Sequence, residues 1–160
     1  MSFSVFGLIL VILILIPSII FGVKYSPIDT PANIDKTSNV FKIMEKIGQI
    51  GCIIVLLFLD VKVEASIKYY SFLVIIILLY VLYYYCWIRY VLNGRQYVFL
   101  GSKLLFIPIP LATIPSLIFF ITGIFNNSII LVLLSIIFAI SHIKISYDNY
   151  LEAKKEKSLN

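Results

Sequence analysis

Glu45, Gln49 and Cys52 recur at i, i+4 and i+7, which places them on one face of a helix. Ser135, Ala139, His142 and Ser146 follow i, i+4, i+7 and i+11, a stripe of small and polar residues in a run of Ile, Leu and Phe. Arg89 stands near the end of another apolar run. A lone imidazole titrates near neutral pH, and a carboxylate or guanidinium is its natural partner. Glu45, Gln49, Arg89, His142 and Ser146 therefore form the candidate polar cluster. One reading makes them a pocket, with His142 able to take and give a proton. The other makes them hydrogen bonds between helices that lock a bundle, with long side chains reaching the headgroups.

The elements that carry these residues are built for lipid. Of 160 residues, 61% are hydrophobic and 13% charged. A soluble domain carries about 25% charged residues, and a chain this short cannot hide so much apolar surface from water. The net charge of +5 does not point to nucleic acid, because the cations flank apolar runs instead of forming a patch. Cys52 and Cys86 are too few for a disulfide framework and read as small apolar side chains at helix contacts. Two Cys and one His in this arrangement assemble no zinc site.

A membrane crossing takes about 20 apolar residues. Five runs qualify, at about 3–23, 43–61, 69–92, 104–125 and 128–147, followed by a charged tail over 148–160. The first lacks a basic start and a small-residue cleavage site, so it reads as a span and not as a secretory signal. Pro17 should kink it. The second brings in Glu45, Lys46 and Gln49 to reach membrane length. The third ends in Tyr80, Tyr83, Tyr84, Tyr85, Trp87 and Tyr90, which predicts a headgroup layer at that end. Pro108, Pro110 and Pro115 should bend or break the fourth.

Charge decides whether the second run crosses. If it does, eleven of the thirteen Lys and Arg residues fall on one side and two on the other; if it does not, the split is seven to six. Cytoplasmic loops collect Lys and Arg. The expectation is an all-α, integral membrane bundle of five transmembrane helices, N-terminus outside and C-terminus cytoplasmic. Asp60 and Glu64 would lie in an outside loop, and Lys154, Lys155 and Lys157 in a tail brushing anionic lipid.

The segments Phe41–Cys52 (FKIMEKIGQIGC) and Phe138–Asn149 (FAISHIKISYDN) resemble those of a group of small, uncharacterised bacterial multi-pass membrane proteins. The resemblance implies the same helical membrane architecture and no activity.

Signatures of zinc proteases, serine hydrolases and phosphate-binding loops are absent. No catalytic residue, cofactor or metal is assigned. The lipid bilayer is the expected partner, joined by other membrane helices or a second copy. Three functions stay open. The first is a non-enzymatic accessory, immunity or stress-type protein of the bacterial cytoplasmic membrane. The second is a small transporter or channel component working as an oligomer. The third is an intramembrane enzyme on a lipid or prenyl substrate, using His142 as acid or base and Arg89 to hold phosphate.

Overall fold

A computed structural model describes residues 3–34, 36–59 and 65–159. Five substantial helices and one short one follow in order: α1 Val5–Lys24, α2 Asn39–Leu57, α3 Ile67–Leu92, α4 Val98–Gly101, α5 Pro110–Phe125 and α6 Ile129–Leu159. Among the described residues there is no strand, only one isolated bridge between Leu104 and Ile107. Three helices, α1, α3 and α6, are long and apolar enough to cross a membrane, which makes this a membrane protein. The expected loop carboxylates Asp60 and Glu64 lie outside the described residues.

Helix ends follow local chemistry. Ser4, Ser38 and Ser66 each accept a hydrogen bond from a backbone N–H in the first turn of α1, α2 and α3. The fourth apolar run, expected to be helical over 104–125, is helical only from Pro110. Pro110 sits at the first turn, where a missing N–H costs nothing. It also drives the preceding residue off the right-handed helical region. Ile109 takes φ 45°, a left-handed value costly for a branched side chain and unlike the extended backbone that usually precedes a proline. Leu104 and Ile107 exchange two backbone hydrogen bonds, folding the lead-in back on itself.

Consecutive long helices run antiparallel. On α2 and α6, Glu45 meets His142 and Thr37 meets Asp148. Gly48 lies against Phe138, and Gly51 against Leu134. The two numbers in each pair add to nearly the same total, the mark of an antiparallel register. Phe119 meets Phe138 across α5 and α6, and Phe72 stacks on Phe125 across α3 and α5 at 4.1 Å. α1 lies parallel to α3, with Leu10, Ile14 and Tyr25 facing Tyr80, Tyr83 and Tyr90.

α5 is the central helix. Nine of its residues are buried, and Ile124 is its only strongly exposed large apolar side chain. The other long helices keep broad apolar faces outward. α6 continues past the apolar run to Leu159, so the charged tail is helical. It packs on the neighbouring loops. Glu156 accepts from Ala32 N, and Lys157 donates to Gln96. Asp29 accepts from Tyr97 N at 2.5 Å, joining the loop after α1 to the one after α3. One end of the bundle thus carries a polar cap.

Candidate functional site

The polar cluster splits into parts. Glu45 lies two turns inside α2 and His142 faces it from α6, with Nδ1 and Oε1 2.5 Å apart. Both side chains are about one-quarter exposed. Gly48 makes this approach possible, since a Cβ there would stand 2.7 Å from the backbone nitrogen of Phe138. The Phe138 ring stacks on the imidazole, with centroids 4.8 Å apart, and fixes its plane. An ionised carboxylate has no proton to give, so with Glu45 charged the proton of this contact belongs to Nδ1. Nε2 is then the ring nitrogen left to accept. Glu45 is the sole hydrogen-bond partner of the His142 imidazole among the described residues.

His142 and Ser146 also line a cavity of about 240 Å³ between α1, α3, α4, α5 and α6. Ser18, Trp87, Tyr97 and Leu111 complete most of its wall. Among the described residues no Asp, Glu, Lys or Arg lines it. The Ser146 hydroxyl has no hydrogen-bond partner among the described residues. Trp87 Nε1 is buried with no partner at hydrogen-bonding geometry. The Tyr83 ring stands edge-on to the indole, with centroids 6.4 Å apart. Pro115 has no N–H, so the carbonyl of Leu111 lacks its usual helical donor.

Arg89 does not join His142. Its guanidinium donates to the carbonyls of Ser102 and Lys103 and to the Ser102 hydroxyl, at 2.6 to 3.0 Å. It pins the chain after α4 to the end of α3, where a cation also suits the helix dipole. The Gln49 side chain, half-buried one turn beyond Glu45, bonds to none of the other four side chains. The α6 stripe divides as well. Ser135 and Ala139 line a shallow apolar groove against α5, while His142 and Ser146 face the cavity.

The aromatic run of α3 serves a purpose that its composition hides. Tyr80, Tyr84 and Tyr90 donate to the carbonyls of Leu10, Leu13 and Tyr25. The Tyr83 hydroxyl donates to Ile14 O at 3.2 Å and lies 2.9 Å from Ser18 Oγ. The wall residues Ser18, Trp87, Tyr97 and Leu111 were not singled out as a site by sequence reasoning. Ser18, the one hydroxyl in the middle of α1, was the available signal.

Among the described residues no three His, Cys, Asp or Glu side chains gather to hold a metal. Comparison with protein families, curated proteins and solved structures finds no match to this chain.

Proposed function

We propose that this is a five-span protein of a bacterial cytoplasmic membrane, N-terminus outside and C-terminus inside. It acts without catalysis, through helix contacts in the bilayer, as an accessory, immunity or stress-type protein. The observation that carries the span count is the outer face of α2. Val40, Ile43, Ile47, Ile50, Ile54 and Phe58 are each more than 40% exposed along its whole length. Such a face needs lipid or another helix over it. The antiparallel course of α1, α2, α3, α5 and α6 supports the same count. The cap supports the orientation, because it gathers the segments that hold most of the Lys and Arg.

For the non-catalytic role, the supporting observation is that, among the described residues, no nucleophile is hydrogen-bonded to the Glu45–His142 pair. Arg89, which a phosphate substrate would need, is turned to Ser102. The transport reading has less behind it. Phe72, Ile76, Tyr80, Tyr83, Ile114 and Ile118 pack into one buried cluster in the middle of the bundle.

Single cysteines in a background lacking Cys52 and Cys86 test the topology. Ala65→Cys should react with an impermeant maleimide on intact cells. Lys36→Cys and Ser158→Cys should react only after permeabilisation. Labelling of positions 36 and 65 from the same side overturns the crossing of α2. Crosslinking in native membranes tests the role. A chain that stays a lone monomer without partners overturns it.

A further inference from the structure

We propose that the cavity beside His142 binds a small uncharged molecule of the phenol class, an aromatic ring carrying one O–H donor. The lining sets this chemistry. Charged ligands find no Asp, Glu, Lys or Arg to pair with among the described residues of the wall, and an unpaired charge is costly to hold away from water. The aromatic rings of Trp87 and Tyr97 with the aliphatic Leu111 give a ring flat contact area. Phe21 stacks on the indole at 5.0 Å and holds that wall in place.

The polar atoms then fix the orientation of the ring. Glu45 occupies Nδ1 of His142, which leaves Nε2 as an acceptor when the imidazole is neutral. A hydroxyl on the ligand supplies the missing donor. Ser146, without a partner of its own, can donate back to the same oxygen. The pairing is specific, since a ring lacking the hydroxyl leaves both groups unpaired. The volume of about 240 Å³ suits a single substituted ring.

The chain contains one tryptophan, and it stands on the cavity wall, so fluorescence reports the site directly. The parent protein in lipid nanodiscs would be titrated with 4-bromophenol, whose bromine quenches indole emission. Saturable quenching is expected. His142→Phe keeps a ring on Phe138 but offers no acceptor, and should raise the half-saturation point at least fivefold. Ser146→Leu should fill the cavity and remove saturation. Leu111→Phe serves the same end if that variant fails to fold. Bromobenzene should bind at least fivefold more weakly than 4-bromophenol. Quenching that is linear in probe and equal in all variants shows lipid partition alone and overturns the site. Tighter saturation by 4-bromobenzoate or 4-bromobenzylamine overturns the ligand class. An unchanged half-saturation in His142→Phe overturns the role of the imidazole.

Discussion

The hydroxyl of Tyr84 donates to the carbonyl of Leu13 at 3.1 Å. Leu13 lies four residues before Pro17, so its carbonyl is the one in α1 that loses a helical donor to the proline. In lipid a freed carbonyl has no water to turn to. The helix beside it supplies the donor, which couples the proline of α1 to the aromatic run of α3.

This coupling is measurable. Tyr84→Phe should destabilise the protein by about 1 kcal/mol, the usual scale for a hydrogen bond between membrane helices. In a Pro17→Ala background the same change should cost much less, because the N–H restored by the substitution now serves the Leu13 carbonyl. Thermal unfolding of the four proteins in detergent closes the cycle. Strictly additive losses would show that Tyr84 and Pro17 act independently.

Gly48 and Gly22 should respond in opposite directions. A Cβ on Gly48 stands 2.7 Å from the Phe138 backbone, while nothing lies within 4 Å of one on Gly22. Gly48→Ala should therefore force α2 from α6 and cost about 1–3 kcal/mol. Gly22→Ala should be neutral or gain up to about 1 kcal/mol from helix propensity. A Gly48→Ala protein as stable as its parent would mean that the two helices pack less closely than described.

The Glu45–His142 pair should also show coupling. Glu45→Gln and His142→Phe, alone and combined, are expected to give an interaction energy on the order of 1 kcal/mol. Zero coupling, read from the unfolding midpoints, would mean that the 2.5 Å contact adds nothing to the fold.

At the cap, Asp148 links acidity to stability. Burial alone would raise its pKa, but hydrogen bonds from Lys144 and Thr37 outweigh it and hold the carboxyl below its usual 3.8. A depressed carboxylate stabilises above its unfolded pKa, and that stability is lost as pH falls through the folded value. Asp148→Asn should thus melt below the parent at pH 6, with the gap closing towards pH 3. A gap that persists in acid would assign the loss to packing.

The helical class was legible from the hydrophobic runs alone, because lipid demands long uninterrupted stretches. That His142 pairs with Glu45 was readable only as one of two choices, Glu45 or Arg89, since all three stand near the ends of their apolar runs. The geometry of the pair was not readable, since it depends on the α2–α6 register, a tertiary fact. The partners of Arg89 were hidden for the same reason, as Ser102 and Lys103 approach it only once the chain after α3 has folded back. The hydrogen bonds of the tyrosines to α1 were not legible, because interface preference and hydrogen bonding within the bundle give the same composition. The start of α5 was readable only as a break, not as a boundary at Pro110.

The short central helix has a consequence for how the molecule is made. With 16 residues, α5 spans about 24 Å, less than the roughly 30 Å hydrocarbon core. A nascent chain carrying α5 alone would present the bilayer with an undersized segment broken by Pro115. Joined to α6 through the Asn126–Asn127 turn, it can enter as one hairpin, with its longer neighbour as the anchor. Ribosomes halted before α6 emerges should therefore leave α5 poorly inserted, and its membrane residence should begin only when the last helix arrives.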